Sequence, residues 1–271
     1  MEVVAIANQK GGCGKTTTAV NLSACLAAKG RRVLLIDLDP QGSATTHLAI
    51  SNFDNTMYDA MLGDLSLSQL TTPTEVNGLD IIPADKRLGK AEMEIAGKSI
   101  ARERILKPKL RTQNTYDFII IDTPPNLGFL TINAMVASDT VLVPIQTEFF
   151  AIQGLSMILD LTKAISEGLG QDLKLRYLLT MYDARQKSRN HFDHLILKLR
   201  YLLTMYDART KMGKEVITRV RELLGDDVFR VVIPRNIKLA EAPSYGKPIH
   251  LIDPESPAAK AYSQLADEVI A

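Results

Sequence analysis

Apolar residues recur along this chain in two patterns. The first is a set of short, almost unbroken runs: Val3–Ala7, Val33–Ile36, Phe118–Ile121, Val141–Ile145 and Val228–Ile233. Unbroken rather than alternating hydrophobicity marks a strand covered on both faces, as parallel strands are. The second pattern has helical spacing: between Thr17 and Lys29, the residues Ala19, Val20, Leu22, Cys25 and Leu26 share one face. Further helices are expected over Thr56–Leu62, over Lys90–Leu106 with a stop before Pro108, to about Ser166, to Leu224, and over Ser256–Ile270. Leu79–Pro83 reads as a short strand ended by proline. Strands alternating with helices predict an α/β fold, with a mostly parallel twisted sheet, helices on both faces, and one domain spanning residues 1–271.

Polar residues collect where these runs end. After Val3–Ala7 comes Lys10-Gly11-Gly12-Cys13-Gly14-Lys15-Thr16-Thr17, which opens the first helix. Strand, glycine loop and helix form the context of a phosphate-binding loop. Glycines let backbone N–H groups close around phosphate oxygens, and the helix N-terminus adds its dipole. Lys15 is expected to reach the β- and γ-phosphates, and the Thr16 hydroxyl to ligate Mg²⁺. The strict pattern G-x-x-x-x-G-K-S/T is not met, because Gln9 stands where its first glycine belongs, and a second lysine, Lys10, follows. Two lysines at one phosphate cluster repel each other, so one resolution is that Lys10 serves a second nucleotide across a dimer interface.

Two more strand ends carry carboxylates. Arg31–Asp37 runs into Asp37-Leu38-Asp39-Pro40, and Tyr116–Asp122 ends in Asp122-Thr123-Pro124-Pro125. In open α/β sheets the carboxyl edge of the strands holds the site. Alternation sends Asp37 and Asp39 to the same side, where both face the loop's Mg²⁺ and phosphates; the alternative is a capping aspartate and a turn aspartate. Asp122 follows the logic of a Walker B aspartate, holding Mg²⁺ while Thr16 binds it directly.

Later in the chain, Leu173–Arg185 recurs letter for letter as Leu197–Arg209, an offset of 24 residues. Thirteen identities in register mark a tandem duplication, and a period that occurs only twice is not a solenoid.

Composition changes this picture little: 46% hydrophobic and 23% charged residues are ordinary for a globular protein, and the net charge of +1 announces no nucleic acid. Its distribution says more. Residues 198–247 hold eleven Lys/Arg against six Asp/Glu, whereas residues 51–100 hold four against eight, so the basic excess lies late in the chain. Cys13 and Cys25 lie in the loop and on the helix face, not as disulfide partners, and no Cys/His cluster has metal-ligand spacing. The absence of a signal peptide and of a membrane-spanning run makes the cytoplasm the expected compartment.

The stretch Lys10–Thr17 resembles the deviant Walker A signature K-G-G-x-G-K-S/T-S/T of the ParA/MinD family of dimerising P-loop ATPases. Pro234–Ile249 is similar to the I-P-R-N-x-x-x-x-E-A-P-S-x-G-x-P-I stretch of the ParA/Soj branch, the chromosome- and plasmid-partitioning ATPases. The resemblance covers nearly the whole chain apart from the extra 24 residues. It implies ATP and Mg²⁺ bound by Lys10, Gly11, Gly12, Cys13, Gly14, Lys15, Thr16 and Thr17, with Pro234 and Arg235 lining the adenine pocket. It assigns Lys10, Lys15 and Asp39 to catalysis, Lys10 by contact with the partner's nucleotide and Asp39 by orienting the attacking water. Thr16, Asp39 and Asp122 form the metal set, and Asp37 supports it. Gln146–Leu155 is similar to a family stretch near the dimer interface; a polar loop is the alternative. The resemblance further implies an ATP-dependent homodimer that binds DNA non-specifically, with Arg209, Lys211, Arg219, Arg235 and Lys238 as the contacts, or as solvated surface charges in the bland reading. A ParB-type stimulating protein and a place on the nucleoid complete the expectation.

The family carries one copy of the repeated segment, and residues 210–224 continue the second copy as the family does. Leu197–Arg209 is therefore expected in the sheet, with the insertion around residues 173–196 outside it, although the first copy keeps the natural distance from the preceding helix. No helix-turn-helix precedes the first strand, so specific operator binding is not expected. The rivals are a MinD-like membrane-associated division regulator, a positioner of another cargo, and a metabolic enzyme on the same fold. Ser256–Ile270 has a single basic residue, Lys260, where a membrane-targeting helix needs a basic face.

Overall fold

The computed structural model describes residues 1–63, 65–95, 102–146, 151–182 and 212–271. The chain opens with β1 (Glu2–Ile6), α1 (Lys15–Ala28), β2 (Val33–Asp37), two short helices α2 (Ser43–His47) and α3 (Met57–Leu62), then β3 (Thr72–Pro73) and β4 (Leu79–Ile82). Next come α4 (Ala91–Ile95), α5 (Leu106–Leu110), β5 (Phe118–Asp122), α6 (Phe129–Ala137) and β6 (Thr140–Gln146). The sheet is completed by α7 (Ala151–Leu169), β7 (Lys174–Tyr182), α8 (Met212–Leu224) and β8 (Val228–Pro234), and followed by α9 (Ile237–Glu241), α10 (Ile249–Ile252) and α11 (Pro257–Ile270).

The strand order is β3-β4-β2-β5-β1-β6-β7-β8. Every neighbouring pair is parallel except β3 with β4. The apolar runs sit in the middle of this sheet, as their unbroken hydrophobicity requires. Along β1, Val4 and Ile6 join a cluster with Leu22 and Leu26 of α1 and Tyr262 and Leu265 of α11. Val3 and Ala5 point the other way, into a cluster with Met57, Leu106 and Leu130 from α3, α5 and α6. A third cluster joins Val141, Val143, Ile145 and Leu179 to Ile158 of α7 and Val220 of α8. Successive residues going to opposite clusters is the pleat of a strand buried on both sides.

Two expectations are corrected. The helix expected over Lys90–Leu106 is not α-helical throughout: α4 is described over Ala91–Ile95, Arg102–Arg104 makes one 3-10 turn, and Pro108 lies inside α5 rather than beyond a helix end. Pro108 is the third residue of α5, where a backbone N–H has no intrahelical acceptor, so its missing N–H costs nothing.

The second correction concerns the repeat. The strand between β6 and β8 is formed by the first copy, where the second was expected. It pairs with β6 at seven consecutive positions, from Thr140–Lys174 to Gln146–Thr180, and with β8 on its other side. The copies carry the same side chains, and the first is seated by what precedes it. Before the first copy, Gly170 turns the chain with φ 61°. Gln171 then donates to the Val136 carbonyl at 2.9 Å and accepts from Lys107 at 2.7 Å, and Asp172 accepts from Ser166 at 2.6 Å. These bonds deliver the strand to its place beside β6. The second copy follows Leu195-Ile196, which carries no such side-chain groups; Leu197–Arg209 itself lies outside the described residues.

Candidate nucleotide site

Because β1, β2 and β5 to β8 run parallel, their carboxyl ends meet at one edge. Ile6, Asp37 and Asp122 stand level there, with Asp122 in register with both of the others. The glycine loop rises from β1 at this edge. Gly12 and Gly14 take left-handed φ values of 71° and 91°, conformations open to glycine at no steric cost. Gly14 is the N-cap of α1 and has no side-chain cap, so the first N–H groups of the helix stay available to an anion. The Lys15 side chain is buried in the loop and its ammonium donates to the Lys10 carbonyl at 3.1 Å. The Asn8 side chain accepts from Lys10 N at 3.0 Å and donates to the Pro144 carbonyl at 2.7 Å, fixing the loop's entry. Gly11 faces Pro125, and Thr16 and Thr17 are half-buried in the first turn of α1. The Cys13 thiol is pushed up by burial, with Lys15 opposing, which makes it an inert packing group.

The carboxylates divide by what satisfies them. Asp37 is saturated by the protein: Oδ2 accepts from Thr45 N at 2.8 Å and Thr45 Oγ1 at 2.7 Å, and Oδ1 from Asp39 N at 3.1 Å. Asp39 lies beside it, buried, with Oδ1 accepting from Gln41 N at 2.9 Å. Asp122 is wholly buried, yet neither of its oxygens has a hydrogen-bond partner. Burial drives its pKa well above the usual carboxylate range, and Asp37 adds to the rise; the Thr16 hydroxyl and the Lys15 ammonium favour the carboxylate form without completing a bond. A buried, unpartnered carboxylate flanked by a hydroxyl and an ammonium fits a hard divalent cation, which takes oxygen ligands. The expected support from Asp37 has a different geometry: its lone pairs hold α2 in place.

The other expected residues scatter. Pro234 ends β8 at the same edge, and Arg235 is exposed just beyond it. Lys238 is exposed and paired with Asp253 at 2.8 Å. Arg219 lies in α8. Arg209 and Lys211 lie outside the described residues, as do residues 147–150 of the stretch similar to the family's interface segment.

Sequence reasoning did not assign a role in the site to Gln146 or Thr180. Gln146 Nε2 donates to the Gly12 carbonyl at 2.7 Å, and Thr180 Oγ1 to the Cys13 carbonyl at 2.9 Å. The available signal was that both stand at carboxyl ends of core strands. Asn21 was missed as well: it donates to the Thr17 carbonyl at 2.8 Å and accepts from Ile249 N at 2.8 Å, joining α1 to the C-terminal segment.

A parallel sheet whose first strand turns through a glycine loop into a helix, opposite a buried strand-end aspartate, defines a P-loop nucleotide-binding protein. An AAA domain family model matches residues 1–175. The chain is 45% identical over 274 residues to the sporulation initiation inhibitor protein Soj of Bacillus subtilis, covering 100% of this chain and 98% of that one. It is 41% identical over 276 residues to the chromosome partitioning protein ParA of Caulobacter vibrioides, covering 100% and 94%. Among solved structures, cobyrinic acid a,c-diamide synthase from Mycobacterium smegmatis with bound ADP and magnesium has a TM-score of 0.79 at 31% identity, covering 99% and 94%. The chain belongs to the Soj/ParA family of partitioning ATPases.

Proposed function

We propose that this protein is a nucleotide-operated dimerising ATPase that binds DNA without sequence preference and works with a ParB-type stimulating protein in segregating a chromosome or plasmid. The observation that carries the nucleotide half of this reading is Asp122, buried without a partner beside Thr16 and Lys15. ATP occupies the loop, its phosphates meeting the N–H groups of Gly11 to Thr17 and the Lys15 ammonium. Thr16, Asp122 and Asp39 would hold Mg²⁺, which would supply charge neutralisation to the phosphates. Lys10 reaches the nucleotide of the second subunit, and Asp39 orients the attacking water. Hydrolysis then rests on positioning and charge, since phosphoryl transfer leaves little covalent work to the protein. Pro234 and Arg235 border the base.

Support for the DNA half is the late basic excess and the identity to Soj and ParA proteins over their whole lengths. Arg209, Lys211, Arg219, Arg235 and Lys238 are its contacts, with Lys238 exchanging Asp253 for phosphate. Against a membrane-attached alternative stands α11: Ala258, Tyr262 and Leu265 on its apolar face are buried in the core, and its Glu268 accepts from Arg230 N and Val231 N of β8, both at 2.8 Å. Among the described residues no helix is long and apolar enough to cross a membrane. The proposed place of action is the nucleoid in the cytoplasm.

Co-sedimentation with DNA tests the reading in three states: with ATP, with ADP and without nucleotide. Binding is expected with ATP alone. With these five contacts in each subunit, a dimer meeting about six to ten phosphates loses on the order of 10³- to 10⁵-fold in affinity between about 50 and 200 mM salt. Lys15→Ala removes binding of ATP and of DNA together, whereas Lys10→Ala keeps ATP and loses the dimer. Equal DNA binding in all three states would refute the switch.

A further inference from the structure

The side chains that touch the phosphate loop from the sheet come from neighbouring strands, and they meet consecutive carbonyls. Gln146 and Thr180 are direct partners in the β6–β7 register. Gln146 takes the Gly12 carbonyl, and Thr180 takes the Cys13 carbonyl. A trans peptide is planar, with its C=O and N–H pointing in opposite directions. Holding the Gly12 and Cys13 carbonyls toward the strands therefore turns the N–H groups of Cys13 and Gly14 away from them. The Thr180 methyl adds a second contact, lying 4.0 Å from where a Cβ on Gly14 would stand.

The strand end is built unusually at this point. Met181, next after Thr180, takes φ 56°, a left-handed conformation that is uncommon for a side chain of this size. Its sulfur accepts from Gln146 Nε2 at 3.0 Å. Backbone outliers persist where surrounding contacts over-determine them, and they gather at functional sites. Thr180 and Gln146 are both largely buried, so the two donors are themselves shielded from water, and removing either leaves the loop carbonyl without that hydrogen bond.

We propose that Thr180 and Gln146 are positioning residues for the phosphate loop, and that the copy of the duplicated segment occupying β7 thereby sets the affinity for the nucleoside triphosphate. This rests on the nucleotide-binding reading above. The inference goes beyond a packing role because the two donors fix peptide planes rather than fill space. It also gives the duplication a functional address. The second copy repeats the threonine as Thr204, so the chain carries its own control for every substitution in the first.

The test is Mg·ATP binding by calorimetry for Thr180→Val, Thr180→Ser and Thr204→Val. Valine keeps the shape and removes the hydroxyl; serine keeps the hydroxyl and removes the methyl. Thr180→Val is expected to weaken binding about tenfold, the loss when the hydrogen bond that holds the Cys13 peptide plane is removed. Thr180→Ser stays within about threefold of the wild type, since its donor is intact, and Thr204→Val binds as the wild type does. The Cys13 carbonyl ¹³C shift of the nucleotide-free protein is read beside the affinities. It moves in Thr180→Val alone. If the wild type binds no ATP, the nucleotide reading has failed, and the shift still decides whether Thr180 holds the loop. Unchanged affinity and shift in Thr180→Val would overturn the proposal, as would a loss in Thr204→Val or a loss confined to the double variant. Should Thr180→Val lose its far-ultraviolet circular dichroism, Gln146→Met puts the same question through Gly12, with the same tenfold loss expected and unchanged binding overturning it.

Discussion

His47 and Asp37 sit ten residues apart, and burial pushes both toward neutrality. His47, 2% exposed on α2, is lowered to about 4 by desolvation, with the Lys247 backbone opposing in part. Asp37 is raised to about 6, again by desolvation, with the Thr45 hydrogen bonds opposing. Their effects on stability have opposite signs. Between about pH 4 and 6.5 the unfolded chain binds a proton at His47 that the folded chain refuses, so acidification destabilises. Between about pH 3.8 and 6 the folded chain holds a proton at Asp37 that the unfolded chain releases, so acidification stabilises, and Asp122 acts in the same direction. His47→Leu removes one side of the contest. Relative to wild type, that variant is expected to gain about 2 kcal/mol of stability on going from pH 7 to pH 5. Urea unfolding at the two pH values reads this, and parallel pH profiles would show that His47 titrates normally in the fold. At this scale the sequence disclosed Lys15, Thr16 and Asp122, because each has a chemical type suited to phosphate or cation at the end of an apolar run. It did not disclose Gln146 or Thr180, whose bonds run to backbone carbonyls 134 and 167 residues away, since a carbonyl acceptor leaves no mark in the amino-acid code.

Elements couple the acidic strand end to the C-terminal segment. Thr45 of α2 grips Asp37 and also accepts from Ala84 N at 3.1 Å. Two residues beyond α2, Ala49 has φ 53° and stands against Gly246, itself at φ 66°. A Cβ on Gly246 would lie 2.6 Å from the Ala49 Cβ, closer than two carbons can approach. Gly246→Ala is thus expected to cost about 2–3 kcal/mol, from the left-handed backbone and the clash together. Ala49→Gly removes the obstructing methyl and relaxes its own φ, so the double variant recovers more than half of that loss in chemical denaturation. A double variant no better than Gly246→Ala alone would mean that the clash is not the cause. The strands β1, β2, β4, β5, β6 and β8 and the helices α1, α3 and α11 were legible within a few residues, because burial on one or two faces writes a period into the sequence. The chain from Lys90 to Leu106 was not: its apolar positions fit one helix, whereas Arg102–Arg104 forms a 3-10 turn ahead of α5.

The duplication is a question for the whole molecule. Identical letters carry identical propensities, so nothing within the repeat tells which copy enters the sheet; the Gln171 and Asp172 bonds seat the first copy from outside it. With the first copy in β7, 29 residues connect Tyr182 to Met212. Removing residues 186–209 leaves five in that connection and joins Arg185 to Thr210. Removing residues 173–196 instead yields the same amino-acid sequence, so a single shortened protein stands for both choices. For a connection without native contacts of its own, the loop-closure term for shortening from 29 to five residues would be about 1.5 kcal/mol in favour of the shortened chain. Every contact of β7 with β6, β8 and the phosphate loop is retained, because the retained copy supplies the same residues. The shortened protein is therefore expected to unfold at higher urea concentration and to bind Mg·ATP within about twofold of the parent, an energy difference below RT ln 2. Lower stability on excision would mean that the additional 24 residues contribute native contacts of their own, outweighing the entropy of the longer connection.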